Sequence, residues 1–148
     1  MATINVRMQA DVTINGEVKQ MGSITSADTI TVTDISDMTV TIANAATRVM
    51  WETGVAGYPE EITDFDFLYI ESDVAASVQL VVDKASAGGG IAYYYVALAA
   101  GIPWMLHSDS NFGGDDSGSF DGTSTDLIDK IAIKATGGAA VVRFVIAT

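Results

Sequence analysis

Apolar and polar residues alternate over most of the chain, which is the pattern of β-strands that turn one face toward a core. The clearest case is residues 4–14, in which every even position is apolar. We therefore predict that the chain starts with a strand that has one apolar face. The residues of that face are Ile4, Val6, Met8, Ala10, Val12 and Ile14.

The dipeptide Asn15-Gly16 follows this strand and predicts a β-hairpin, because both residue types tolerate positive φ. A two-residue loop would place Val12 opposite Lys19 and so mix apolar and charged side chains on one face. A three-residue loop with a bulge would instead pair Val12 with Val18. Because the second register keeps each face uniform, we expect it in an N-terminal hairpin or arm over residues 1–25.

Strand-like segments continue to the end of the chain, at residues 29–33, 39–42, 48–52, 65–71, 77–83, 91–98, 127–135 and 139–147. The last two flank Gly137-Gly138, which predicts a C-terminal hairpin. Helical periodicity is absent, and the connections are too short for crossover helices. We predict an all-β fold, a single domain over residues 1–148, built as an antiparallel, jelly-roll-like β-sandwich. A chain of 148 residues can bury roughly 70% of its unfolded surface.

Residues 107–126 form a different kind of segment, rich in glycine, serine and aspartate. A stretch of this length between strands is usually a functional or mobile loop. Acidic loops can bind calcium, but the spacing of these acids matches neither the EF-hand loop nor the glycine-rich nonapeptide. We interpret the segment as an acidic surface loop and predict no metal site.

The net charge of −12, from 19 acidic and seven basic residues, limits the kinds of partner. Because a surface this acidic repels phosphate backbones and anionic lipids, we expect neither nucleic acid nor a membrane as a partner. The longest apolar run, residues 91–104, is too short to span a bilayer. The chain has no cysteine, which excludes disulfides and zinc–thiolate sites.

Catalytic motifs are not found in the sequence. The single histidine is His107, and its neighbours Ser108 and Asp109 cannot form a triad with it, since the base must be approached from two sides. The acid pair Asp64 and Asp66 falls in a predicted loop, where solvated charge is the ordinary explanation. We therefore expect no catalytic residue, no cofactor and no enzymatic activity.

Aromatic residues mark the segment 91–98 as apolar on both faces, with Tyr93 and Tyr95 on one face and Tyr94 on the other. Such a strand is either central in a sheet and covered on both sides, or buried against another subunit. The sequence leaves both readings open. Together with the first strand, it gives the predicted contacts with a partner protein or another subunit: Ile4, Val6, Met8, Ala10, Val12, Tyr93 and Tyr95.

Residues 64–148 resemble small all-β virion proteins of bacteriophages. The resemblance rests on FLYIESD (67–73), SVQLVVD (77–83), VALAAGIPWML (96–106) and IAIKATGGAAVVRFVI (131–146). It implies a capsid decoration or cement protein that is located in the virion, binds the major capsid protein and forms a homo-oligomer, with a trimer as the first expectation. The alternative is a carbohydrate-binding module or a tail or fibre adhesin, with Trp51, Trp104 or Tyr58 as its stacking surface.

Overall fold

The computed structural model of the protein describes residues 1–55, 62, 64–82, 92–107 and 128–148. In these residues it contains ten β-strands and no helix, and every strand pair is antiparallel, which confirms the all-β prediction. The strands are β1 (Ala2–Ile14), β2 (Glu17–Val32), β3 (Ile35–Ile42), β4 (Thr47–Glu52), β5 (Phe67–Ser72), β6 (Ala76–Val82), β7 (Ala92–Leu98), β8 (Trp104–His107), β9 (Ile128–Ala135) and β10 (Ala140–Ala147).

The chain divides into two compact units, residues 1–33 and residues 34–148. The first unit is a two-stranded ribbon made of β1 and β2, and the second contains the other eight strands. The sequence predicted one domain with a hairpin or arm over residues 1–25. In the structure the hairpin runs to Val32 and forms a unit of its own.

The ribbon turns through two residues, Asn15 and Gly16, whose φ angles are 52° and 83°. Val12 lies opposite Lys19, so the predicted three-residue loop is wrong. The prediction assumed that one ribbon face is buried and must be uniformly apolar. Val12 and Val18 are both exposed, so no core penalises a mixed face, and the turn preference of Asn-Gly decides the register.

The second unit is a sandwich of two four-stranded sheets. The first sheet has the order β3-β10-β5-β8 and the second sheet has the order β4-β9-β6-β7. Strands at the same position in the two orders are consecutive in the chain, so the backbone passes from sheet to sheet at each position. This is the order of an antiparallel ribbon wound into two sheets, and it confirms the predicted jelly roll.

The sandwich core is made of large apolar side chains from both sheets. Burying one such side chain fully contributes about 1.5–3 kcal/mol. Ordinary alternation places them: in β5, Leu68 and Ile70 are buried, and in β10, Val142, Phe144 and Ile146 are buried. The core also includes Met50, Trp51, Phe65, Val78, Leu80, Val82, Ile128, Ile131 and Ile133.

The predicted C-terminal hairpin is wrong, because β9 belongs to the second sheet and β10 to the first. The connection between them crosses the sandwich and is held by hydrogen bonds from the backbone amides of Thr136 and Gly137 to the carbonyl oxygen of Ala75, at 3.0 and 2.9 Å. A hairpin and a crossing both need two strands and a short glycine turn. Alternation alone therefore could not distinguish them.

Strand β5 lies inside the first sheet, between β10 and β8, whereas β7 lies at the edge of the second sheet. The reading of β7 as a covered central strand is therefore wrong. Of the predicted acidic loop 107–126, only His107 lies inside the described residues, and it ends β8.

Candidate functional site

The ribbon exposes an apolar patch near its turn, formed by Ala10, Val12 and Met21. Ala10 lies opposite Met21, and Val12 lies opposite Lys19, so these four side chains share one face. Val12 is 40% exposed and Met21 is 56% exposed. We call these four residues the tip face. It offers a partner apolar area with one flanking positive charge.

The opposite face of the same ribbon segment is polar. The amide nitrogen Nε2 of Gln9 donates long hydrogen bonds of 3.4 Å to both carboxylate oxygens of Asp11, and Nε2 of Gln20 donates to Oδ1 of Asp11 at 3.3 Å. Val18 is the exposed apolar residue of this face. Burial of this side would desolvate a carboxylate and two amides, which costs free energy that the tip face does not incur.

The remaining predicted ribbon contacts are less accessible. Ile4 and Val6 are half-buried, and Ile30, which lies opposite Ile4, is buried. The side chain of Met8 lies outside the described part of the structure. Ala10 and Val12 are thus the predicted contacts of β1 that the structure leaves exposed.

Tyr93 and Tyr95 form a second exposed surface, on the outer face of edge strand β7. Tyr93 lies opposite Val81 and Tyr95 opposite Gln79, and they are 52% and 66% exposed. Nε2 of Gln79 donates a hydrogen bond of 2.8 Å to Oη of Tyr95. Tyr93 and Tyr95 share one face, as predicted, because they are two residues apart in β7. Tyr94 lies between them on the other face, opposite Leu80.

The outer face of the second sheet continues from these tyrosines toward basic residues. Lys130 lies opposite both Val81 and Glu52, and its Nζ is 3.3 Å from Oε2 of Glu52. Although it faces outward, Val81 is only 4% exposed. We call Gln79, Tyr93, Tyr95 and Lys130 the tyrosine face. The strands of this sheet carry three basic and two acidic residues, a net charge of +1 in a chain of −12: Arg48, Lys130 and Lys134 against Glu52 and Asp129.

The outer face of the first sheet holds a polar network across three strands. Arg143 binds Asp37 through two hydrogen bonds, from Nη2 at 2.8 Å and from Nε at 3.2 Å, and its guanidinium lies 5.9 Å from the centroid of the Tyr69 ring. Oη of Tyr69 donates a hydrogen bond of 2.5 Å to Glu71. The network links β3, β10 and β5 from outside the core.

Two pKa values shift because of this network. The hydrogen bond from Arg143 lowers the pKa of the Asp37 carboxyl; desolvation opposes this shift, and the positive charge of Arg143 adds to it. The hydrogen bond to Glu71 raises the pKa of the Tyr69 hydroxyl, because the carboxylate stabilises the protonated phenol, and burial acts in the same direction. The network therefore joins one ion pair, Arg143 with Asp37, to one phenol–carboxylate hydrogen bond.

The residues considered above for catalysis or metal binding are exposed or lie outside the described part of the chain. His107 is exposed at the end of β8, and its neighbours Ser108 and Asp109 lie outside them. Asp64 and Asp66 are both exposed, and Asp64 accepts a hydrogen bond of 3.5 Å from Oγ1 of Thr148. In the described part of the chain, no group of three acidic, histidine or cysteine side chains could hold a metal ion. Nor does that part contain a helix long and apolar enough to cross a membrane.

Trp51 cannot serve as a sugar-stacking surface, because it is fully buried. Its ring meets the ring of Phe65 edge to face at 5.6 Å, and its Nε1 donates a hydrogen bond of 2.9 Å to the carbonyl oxygen of Ile62. Trp104 is half-buried against the core, and Tyr58 lies outside the described residues. The predicted aromatic platform is therefore wrong at Trp51.

The sequence interpretation missed four residues of these surfaces: Lys19, Met21, Gln79 and Lys130. Met21 could have been found by accepting the two-residue loop that Asn15-Gly16 favours, since that register places it opposite Ala10. Gln79 becomes relevant only through the pairing of β6 with β7, which no local pattern in the sequence indicates.

Comparisons with known proteins give one structural likeness. No family model matches the chain, and no curated protein matches it. Among solved structures the chain is similar to a protein from Bacillus endospore appendages, described as forming a novel family of disulfide-linked pili. That match has a TM-score of 0.31 and 12% identity, and covers 76% of this chain and 84% of the other. A similarity of this size establishes neither a common family nor a common function.

Proposed function

We propose that this protein is a structural protein of a bacteriophage virion that decorates or cements the capsid by protein–protein contacts with the major capsid protein. The ribbon is the observation that carries the proposal. It forms a unit of its own and exposes Val12 and Met21 near its turn. Because an isolated two-stranded hairpin is at best marginally stable in water, the ribbon gains stability by packing on another surface.

Charge supports the ribbon as the part that reaches the partner. Residues 1–33 contain two basic and three acidic residues, a net charge of −1, so the rest of the chain carries −11. A nearly neutral ribbon approaches an acidic protein shell with little repulsion, whereas the sandwich does not. Binding by apolar contact also predicts that added salt weakens the complex little or strengthens it by screening repulsion.

Strand β1 offers a second way to hold a partner. Within the described residues β1 pairs with β2 alone, so its other edge can add to the edge of a partner's sheet. Strand addition supplies backbone hydrogen bonds, and the side chains of the tip face supply the apolar contact. Many copies on one capsid lattice then add their weak contacts through multivalency.

Sedimentation with empty capsids tests the proposal. The probe is an empty capsid assembled from a bacteriophage major capsid protein. We expect the full chain to bind, and we expect Val12→Lys to weaken binding roughly tenfold, which corresponds to about 1.4 kcal/mol. Val18→Lys is the matched control, because it adds the same charge on the polar face of the same ribbon.

The control separates the tip face from a general effect of charge. Val18→Lys should bind within about twofold of the unchanged chain, and circular dichroism should show the same strand content in both variants. Equal losses in the two variants would count against the tip face. Failure of the unchanged chain to bind these capsids would overturn the proposed function.

The alternative function is a carbohydrate-binding module or a tail or fibre adhesin, and the tyrosine face is the observation that favours it. Exposed tyrosines beside Gln79 can stack on sugar rings and hydrogen-bond their hydroxyls. A glycan array with the full chain and with Tyr95→Ala separates the two functions. Glycan binding that Tyr95→Ala abolishes, together with no capsid binding, would place this alternative first.

A further inference from the structure

The edge strands of the sandwich differ in how well they are protected against the addition of another strand. Strand β3 carries Asp37, β4 carries Arg48 and Glu52, and β8 is only four residues long and follows Pro103. Charge, shortness and proline all discourage strand addition at an edge. Strand β7 has seven residues, Ala-Tyr-Tyr-Tyr-Val-Ala-Leu, and contains no charge, proline or glycine.

We propose that β7 pairs antiparallel with β7 of a second copy of the chain, which joins the two second sheets into one continuous eight-stranded sheet. A two-fold axis perpendicular to the sheet keeps the outer faces of both copies on the same side. The contact is then isologous, because the same strand serves both copies. The inference concerns the isolated protein and does not rest on the proposed capsid role.

The tyrosines select the register of this pairing. If the axis passes through Tyr94, each Tyr93 lies opposite Tyr95 of the second copy, and Tyr94 lies opposite its own counterpart. Cross-strand aromatic pairs stabilise antiparallel sheets, and this register forms two of them on the exposed face. An axis through Tyr95 would instead place Tyr93 opposite Ala97 and form a single aromatic pair there.

Electrostatics favours this edge for contact between two acidic copies. The whole chain carries −12, but β7 is uncharged and the strands of its sheet together carry +1. Two copies that meet along β7 therefore bring together the parts of the molecule that repel least. Repulsion between the remaining charges is screened by salt, so higher ionic strength should strengthen the dimer.

The pairing closes with two copies, so it predicts a dimer where the resemblance to phage proteins led us to expect a trimer. Tyr93 and Tyr95 are exposed in the single chain, and the pairing would cover part of both rings. Exposed aromatic residues of this kind are typical of interface centres.

Sedimentation equilibrium of the full chain over a concentration series tests the dimer. Tyr95→Lys places a charge at the paired edge and should raise the dimer dissociation constant at least about tenfold. Thr41→Lys is the matched control, since Thr41 is an exposed residue of the opposite edge strand β3, and it should leave the constant unchanged. Circular dichroism should show that both variants are folded.

Cysteine crosslinking tests the register, because the chain has no cysteine of its own. In the proposed register Tyr94→Cys places its thiol opposite the same thiol of the second copy, within reach of a disulfide, and air oxidation should yield a covalent dimer. Thr41→Cys should stay monomeric on denaturing gels. A monomer at all concentrations, a trimer, or faster crosslinking by Tyr95→Cys than by Tyr94→Cys would overturn the proposal.

Capsid sedimentation distinguishes this result from the proposed function. A chain that binds capsids but remains monomeric would overturn the β7 pairing alone. A chain that dimerises through β7 and does not bind capsids would overturn the capsid role alone.

Discussion

Gly137 lies close to Ala75, and a side chain at Gly137 would make an unusually tight contact with it. A Cβ atom added at Gly137 would be 3.1 Å from both the Cβ and the backbone nitrogen of Ala75. Gly137 lies in the connection from β9 to β10, and Ala75 lies in the connection from β5 to β6. Both connections cross from one sheet to the other, so this contact packs two crossings of the sandwich against each other.

Gly137→Ala should therefore destabilise the sandwich. Overpacking a tight contact typically costs about 1–3 kcal/mol, and urea denaturation would measure the loss. The double variant with Ala75→Gly removes one of the two clashing groups and should recover part of the stability. If the two substitutions show no coupling in a double-mutant cycle, the close contact does not limit the stability of this region.

The ribbon register predicts which engineered cysteines can crosslink. Thr13 lies opposite Val18, so Thr13→Cys with Val18→Cys should form an intramolecular disulfide. Val12→Cys with Val18→Cys should not, because those two side chains lie on opposite faces. Mass spectrometry after oxidation distinguishes the pairs. Preferential crosslinking of the second pair would support the three-residue loop and contradict the two-residue turn.

The sequence predicted the fold class because alternation and turn residues are local signals. Alternation identified β1, and Asn15-Gly16 identified the hairpin, but the register required knowledge that Val12 and Val18, near the turn, are both exposed. The sheet membership of β9 and β10 depends on partners far away in the chain. For that reason the glycine turn at Gly137-Gly138 was assigned to a hairpin although it belongs to a crossing.

The ion pair of Asp37 and Arg143 predicts a dependence of stability on pH. Because Arg143 lowers the pKa of Asp37 below its ordinary value of 3.8, the folded state binds this proton less readily than the unfolded state. The stabilisation is therefore complete above the unfolded pKa and is lost as the pH falls through the folded pKa. In Arg143→Gln the pKa of Asp37 should rise.

Carboxyl NMR titration measures the pKa of Asp37 in both proteins. The stability difference between them should be small, because the pair is exposed, and it should shrink further at high salt. An unchanged pKa of Asp37 in Arg143→Gln would show that the hydrogen bonds do not persist in solution.

Trp51→Phe should destabilise the core although it keeps an aromatic ring. The substitution leaves the carbonyl oxygen of Ile62 without the indole donor, a loss of about 1–3 kcal/mol for a buried group, and also leaves a cavity. Trp104→Phe is the control at a half-buried site and should cost less. Equal effects in urea denaturation would contradict the buried hydrogen bond.

The candidate surfaces were less predictable than the fold. Tyr93 and Tyr95 could be placed on one face because their spacing is two residues, but their exposure depends on β7 being an edge strand. Ile4 and Val6 follow the same alternation as Ala10 and Val12, yet only the latter pair is exposed. Alternation fixes which side chains share a face and does not determine what covers that face.

The pairing of β3 with β10 has a consequence for how the chain folds during synthesis. Ile35 lies opposite Ala147, and Asp34 and Thr148 exchange two backbone hydrogen bonds, so the sandwich closes with its first and last residues. At about 5–20 residues per second, the ribosome makes the last strand on the order of ten seconds after the first. The ribbon pairs residues at most 30 positions apart and can form early. The sandwich, with its high contact order, cannot complete its first sheet until β10 has been synthesised.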